Sequence, residues 1–362
     1  MGRFYIGGRF WNGQRANDLR PKKDVKLKDV AEELGVSVVS VSNALGGKAG
    51  VSDELRKKVV ACAKQKGLDI SAYGKKDEKK KAKMLLPECA TIGVVVSERY
   101  ISIGTSFYWE MYQKTAHEAS KKGCVTMLEI ADDDNETNSP QMIVRKETDG
   151  IIVIGPMREA YLKRLLKDAT CPVVFMDQQI SDSRYSSVLS GNYYGMYRST
   201  RELVKAGHKE IGFLGSLEDS RNIIDRYYGY KKCMRESGLK VERKWVISDG
   251  TGGKKKTEIV LPAELPTAFA CCGDFSAGLL YDKLKSRGLR VPEDISLASY
   301  DDYMPEHELK GKLTSYHVDI EHMAKCAIKL VLREMEDPSA SGVIYEVDSY
   351  VVCRSSIAKP VR

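Results

Sequence analysis

The sequence predicts an N-terminal all-α helix-turn-helix domain followed by a larger α/β body with parallel sheets. Three observations predict it. Two short amphipathic runs meet at a glycine turn at Gly35. The composition changes from basic to nearly neutral after residue 85. Beyond residue 90, β-branched runs alternate with helical stretches.

With 362 residues the chain exceeds one ordinary domain, which holds roughly 100–200 residues. Hydrophobic residues at 42% and charged residues at 30% suit a soluble protein with a sizeable core. Residues 1–85 carry 20 Lys and Arg against 10 Asp and Glu, and the remainder 38 against 40. A basic head on a neutral body points to an anionic polymer bound at one end, or to a solvated basic tail. The nine cysteines are scattered, without CxxC or metal-type spacing to histidine. That is reduced, cytosolic thiol usage, with the thiols mostly buried as small hydrophobes. No apolar run approaches the roughly 18–20 residues of a membrane span. There is no GxSxG elbow, P-loop or GxGxxG, so neither catalytic residues, cofactor nor metal is expected. Residues 1–24 have neither helical nor strand periodicity and no signal-peptide core. They read as a disordered basic arm, or as the product of a start codon taken too early.

The head spans 25–71. Leu27, Val30, Ala31 and Leu34 recur at helical spacing, and Gly35 supplies the left-handed cap that ends this helix. Ser37 is an N-cap for a second helix carrying Val38, Val41, Ala44 and Leu45. Ser52 caps a third helix. Asp53 and Glu54 stand in its first turn, Val59, Val60 and Ala63 form its buried face, and Gly67 stops it.

The runs KDVAEELGVS, VSVSNAL and VSDELRKKVVACAKQKG resemble the head of the LacI/GalR (lactose-repressor) family. The resemblance implies that the second helix lies in the DNA major groove. Val38, Val39 and Asn43 would then face base edges, and Ser37, Ser40 and Ser42 would sit near phosphates or cap the helix. The chemistry agrees, since helix N-termini attract phosphate, Asn pairs bidentately with adenine, and valines touch thymine methyls. Many family members carry Arg where Asn43 stands, which weakens any guanine preference. The plainer alternatives are packing for the valines and a solvent-facing amide for Asn43.

Residues 72–90 form the linker, with the charged run KKDEKKKAK at 75–83. In the family a hinge helix here wedges a leucine into the minor groove, within a Tyr-x-Pro-Asn-x-x-Ala-Arg-x-Leu pattern. This chain has Leu68, Ile70, Ser71, Gly74, Lys75 and Asp77 at those places, so an acid replaces the wedge. Either Leu85 or Leu86 acts from a shifted register, or the DNA is bent little. Lys75 would touch phosphate, unless the segment is a plain solvated linker.

In the body, strand candidates lie at 91–97, 124–130, 150–155, 172–177, 210–215, 267–272 and 296–301. Helix candidates lie at 108–122, 158–168, 194–206, 224–237, 275–287 and 320–335. Such alternation gives parallel sheets with helices on both faces and a ligand crevice at the carboxyl ends of the strands. LVKAGHKEIGFLG (203–215), DRYYGYKKCMRESGL (225–239), GLRVPEDISLASYDD (288–302), LTSYHVDIEHMAKCAIKLVL (313–332) and CRSS (353–356) resemble the same family's sensor domain. That implies a two-lobed, periplasmic-binding-protein-like sensor and dimerisation domain over 91–362. Crossings between lobes are expected near 187–190, 317–320 and 345.

The resemblance also places Arg226 and Asp274 in the cleft, where a guanidinium and a carboxylate would bond ligand hydroxyls. Phe107 would stack on a sugar face, and Asp177, Gln178 and Asp301 end strands facing the crevice. Each has a structural alternative: a surface charge for Arg226, a helix cap for Asp274, core for Phe107 and loop support for the others. Gly191 and Gly273 replace a common Asp and Asn, which suggests a larger or less hydroxylated ligand. The five histidines show no catalytic spacing, and His208 fits a structural turn.

The implied function is a sequence-specific transcriptional regulator, a repressor of a carbohydrate-utilisation operon in the bacterial cytoplasm. As a homodimer it would read a pseudo-palindromic double-stranded operator, with affinity set by a sugar-like effector. A degenerate paralogue with weak DNA reading, or a cytosolic sugar-binding sensor, are the alternatives. A transport binding protein would need an export signal and no basic head.

Overall fold

A computed structural model describes residues 25–45, 51–66, 68, 90–101, 106–132, 140–218, 220–251 and 258–361. The expectations for residues 1–24, Gly67, Lys75, Asp77, Leu85 and Leu86 lie outside the described residues. The chain divides into two compact units, Met1–Lys83 and Met84–Arg362.

The first unit contains α1 (Leu27–Leu34), α2 (Val38–Leu45) and α3 (Asp53–Lys66). Gly35 ends α1 with φ 64°, the left-handed conformation for which glycine carries no penalty. Val30, Ala31, Val41, Ala44, Leu45, Val59, Cys62 and Ala63 form the core of the three helices. Val38, read as part of the apolar face of the second helix, is instead 43% exposed. It lies in the first turn of α2, where the helix has already left the core.

The second unit holds two six-stranded sheets. The first contains β1 (Thr91–Ser97), β2 (Val125–Ala131), β3 (Gly150–Ile154), β4 (Val173–Met176), β5 (Ser186–Ser190) and β11 (Ile344–Val347). Its spatial order is β11-β5-β4-β3-β1-β2, with every pairing parallel. The second contains β6 (Ile211–Leu214), β7 (Val246–Ile247), β8 (Ala268–Cys271), β9 (Ser296–Asp301), β10 (Thr314–His317) and β12 (Val351–Val352). Its order is β12-β10-β9-β8-β6-β7, parallel except for the antiparallel pair β10 and β12. The strands β3, β4, β6 and β8 are buried along their whole length, as expected where helices cover both faces.

The helices of this unit are α4 (Glu98–Ile101), α5 (Phe107–Ser120), α6 (Gln141–Val144), α7 (Glu159–Asp168), α8 (Asn192–Lys205), α9 (Arg221–Glu236), α10 (Asp274–Ser286) and α11 (Ile320–Glu336). Helix α8 follows β5 of the first sheet and packs on β9 of the second. In the reverse sense α11 follows β10 and packs on α5 and β4 of the first lobe. The chain therefore crosses between lobes at Gly191, at Val318 and Asp319, and over 348–350. The last crossing comes after residue 345 because Tyr345 still pairs with Val188 inside β11. Arg198 ties the last crossing down, donating to the two carboxylate oxygens of Asp348 at 2.7 and 2.8 Å.

Candidate functional site

In the head, the chemistry is set by how α2 begins. The Ser37 hydroxyl accepts from the Ser40 backbone N–H at 3.0 Å and lies 2.9 Å from the Ser40 hydroxyl. This caps α2 and satisfies one of the donors that a helix N-terminus leaves open. Beside the cap, Val39 is 67% exposed, while Ser42 and Asn43 are half-buried. Two valines with nothing of the head's core over them, next to a capped N-terminus and an amide, form a small surface of the kind that reads groove edges.

The body presents its site at the carboxyl ends of the strands. Both sheets reverse strand order once, between β1 and β3 in the first lobe and between β6 and β8 in the second. Such switch points leave a crevice. A cavity of about 830 Å³ opens between the lobes, at the switch point of the first and at the ends of β6 and β7 of the second. Arg99 and Arg158 line it from the first lobe, Ser216 and Ser248 from the second, with Glu159 and Glu218 beside them.

Behind Ser216 lies a buried polar set. Asp249 accepts from the Ser216 and Ser276 hydroxyls, each at 2.5 Å, and from Thr251 Oγ1 at 2.9 Å. Burial opposes its charge, but these donors outweigh it and hold the carboxyl below the usual range. The Cys272 thiol lies 3.5 Å from Asp249 Oδ2, and the Cys272 carbonyl accepts from Arg226 Nη1 at 2.7 Å.

Arg226 is the centre of the inner cleft and is 7% exposed. Its Nε donates to Asn192 Oδ1 at 2.7 Å, its Nη1 lies 3.4 Å from Asp301 Oδ1, and its guanidinium sits 3.8 Å from the centre of the Tyr300 ring. Burial works against the charge, yet Asp301, Tyr300 and Asp177 overcome it and raise the group further. Asp177 accepts from the Tyr108 hydroxyl at 3.0 Å, and its carbonyl accepts from Asn222 across the lobes at 2.9 Å. Burial raises its carboxyl against the pull of Arg226. Asp177 Oδ1 and Gln178 Oε1 are buried without a hydrogen-bond partner. Asp177, Asp301 and Asp302 have φ of 58°, 107° and 52°. Such backbone strain costs about 1–3 kcal/mol per residue and collects at ligand sites.

Asp177, Arg226 and Asp301 thus come together, with Gln178 next in the chain. Asp274 and Phe107 are held by contacts of their own. Asp274 is 2% exposed, and its oxygens already accept from the Tyr303 N–H at 2.9 Å and the Ser315 hydroxyl at 2.6 Å. It holds the loop after β9. Phe107 meets Tyr303 of the other lobe edge-on at 5.9 Å, so its ring is half-buried in an aromatic contact. Gly273 lies close to Asp301. A β-carbon there would stand 2.8 Å from Asp301 Oδ2, so glycine admits the carboxylate.

None of the six cleft residues expected from sequence lines the 830 Å³ cavity. The Ser216, Asp249 and Ser276 set was missed, although each follows the end of a strand. β7 is two residues long, too short to be seen as a strand. Of the histidines, His208 bonds Thr267 Oγ1 and the Ala358 carbonyl, each at 2.9 Å.

Known proteins share both parts of this arrangement. Residues 26–67 match the bacterial regulatory proteins of the lacI family, and residues 200–357 match the periplasmic binding protein-like domain. The HTH-type transcriptional repressor PurR of Aliivibrio salmonicida is 26% identical over 340 residues, covering 92% of this chain and 99% of that protein. The ribose operon repressor of Haemophilus influenzae is 26% identical over 340 residues, covering 91% and 98%. Among solved structures, a complex of the transcriptional regulator CelR with cellobiose has a TM-score of 0.63 at 19% identity, covering 92% of this chain and 99% of that one. The lac repressor dimer bound to operator and the anti-inducer ONPF has a TM-score of 0.58 at 18% identity, covering 93% and 100%. The match of the head, the two-sheet body and relatives matched along nearly their full length agree: the chain carries the DNA-binding domain of the lacI family of bacterial regulatory proteins and a periplasmic binding protein-like domain.

Proposed function

We propose that the protein is a transcriptional repressor that binds a pseudo-palindromic operator as a homodimer in the bacterial cytoplasm, with its affinity set by a sugar held between the lobes. The observation that carries this reading is the start of α2, where exposed Val38 and Val39 flank a serine cap with Asn43 one turn on. One small head buries too little surface for a specific site, which favours paired heads on paired half-sites.

The cleft supports the effector's chemistry. Guanidinium, carboxylate and hydroxyl groups alternate around the cavity, as suits a ligand that both donates and accepts many hydrogen bonds. Asp177, Gln178, Arg226 and Asp301 lie outside the lining of that cavity and would meet an effector reaching past it, Phe107 sits at the lobe contact, and Asp274 positions the loop that follows Asp301. The sequence Ser216, Asp249, Cys272, Arg226 links the cavity to the contact across the lobes, so a ligand on Ser216 alters how the lobes meet. Repressors named for the ribose operon and a regulator solved with cellobiose support the sugar class.

The test is affinity for a selected DNA site, measured by anisotropy with and without ribose, glucose, cellobiose and a nucleobase. One of the sugars is expected to change affinity about 5- to 150-fold. No change with any sugar, together with a change for the nucleobase, would exclude the sugar class.

A further inference from the structure

On the outer side of the second lobe, α8 and α9 carry six of the chain's 19 tyrosines between residues 193 and 230. The two helices meet closely because Gly229 lies against the Tyr193 carbonyl, where a β-carbon would collide. Tyr230 is core and bonds the Ile211 carbonyl. Tyr194 and Tyr228, in contrast, are 50% and 52% exposed. Along α9, Ile224, Tyr228, Lys231 and Arg235 recur at spacings of four, three and four, so they form one exposed stripe.

Beside that stripe lies an open groove of about 550 Å³. Tyr193 and Tyr228 form its aromatic walls, Leu239 and Val241 its apolar floor, and Lys231, Lys232 and Arg235 its rim. No carboxylate lines it. Lys231 lies 5.5 and 5.4 Å from the centres of the Tyr227 and Tyr228 rings. Lys232 pairs with Glu236 at 2.6 Å, but among the described residues no carboxylate pairs with Lys231 or Arg235.

We infer that this face of α8 and α9 is a docking surface for an acidic peptide segment of a partner protein, one that carries aromatic side chains. Charge complementarity selects the acid: two unmatched cations stand at the rim of a groove without carboxylates. The tyrosine walls and aliphatic floor select a segment with rings to stack and bury. The stripe from Ile224 to Arg235 is roughly 16 Å long at 1.5 Å per helical residue, which suits an extended segment. A small ligand would need an enclosed site that buries most of its surface, and this groove is open. A nucleic-acid backbone is charged at every step, whereas two unmatched cations suit a peptide that places its charges intermittently.

The test uses the full chain and a fluorescein-labelled synthetic peptide that alternates Asp-Glu pairs with Phe, with a labelled oligothymidylate in parallel. The peptide is expected to bind in anisotropy at low salt and to be weakened by added salt. Lys231→Glu combined with Arg235→Glu is expected to lower peptide affinity about tenfold or more. Tyr228→Ala should lower it about tenfold. Circular dichroism and Tm should stay unchanged in both variants. Peptide that fails to bind, or that binds the variants as well as the parent, overturns the inference. Oligothymidylate binding that these substitutions weaken, without peptide binding, also overturns it and assigns the face to nucleic acid.

Discussion

In the proposed function, Asn43 is the residue on which sequence reading by the head depends most. It is half-buried beside an exposed apolar surface, and its amide both donates and accepts, as adenine recognition requires. Asn43→Ala is expected to cost about 1–3 kcal/mol at the cognate site and to relax preference at one base pair. A variant with unchanged preference would place another side chain at that base. In the body, burial pushes the Asp274 carboxyl up to about 8, with Asp301 adding to it, and burial pushes Asp301 up to about 7 against Arg226. A carboxyl with a raised folded-state value holds its proton more tightly in the native than in the unfolded chain. Its contribution is therefore full in acid and is lost as pH rises through the folded value. The Tm of the body is expected to fall as pH goes from about 5 to about 8, and Asp274→Asn should flatten that fall. An unchanged slope in the variant would assign the dependence to other groups. Sequence located Asp177, Arg226 and Asp301 because they end strands or sit in a motif. It did not reveal that they would be one another's partners, since that depends on residues as distant as Asn192 and Tyr300 arriving in the same place.

At the scale of elements, α1, α2 and α3 were legible because each advertises its ends: Gly35 at a left-handed cap, Ser37 and Ser52 at N-caps. Ser37→Ala is expected to destabilise the head by about 1 kcal/mol through loss of the cap, read as a lower Tm for the head's transition. No loss would mean that the Ser40 N–H finds an equal partner in water. The long helices and fully buried strands of the body were likewise visible, with boundaries shifted by one to three residues. β5, β7, β10, β11 and β12 were not, because β7 and β12 are two residues long and β5, β10 and β11 (SSVLS, TSYH and IYEV) lack a continuous apolar run. Their absence from the reading hid Asp249, which follows β7, and with it the polar set behind the cavity.

At the scale of the whole molecule, regulation requires that ligand in the body change DNA binding by the heads, a coupling typically of about 1–3 kcal/mol. The body supplies two lobes with few connections between them. Two sheets are joined by short crossings at Gly191, at Val318 and Asp319, and at 348–350, and their inner faces meet through a few specific bonds such as Asn222 to the Asp177 carbonyl. The two-lobed design was legible through resemblance, since three crossings of one chain between two sheets leave no local signature. The measurement that tests the account most directly is selection of bound sequences from a random DNA pool, using the purified full-length chain at fixed salt. An enriched inverted repeat is predicted, with Asn43→Ala altering one position in each half. Binding that enriches no sequence and simply weakens as salt is added would contradict it.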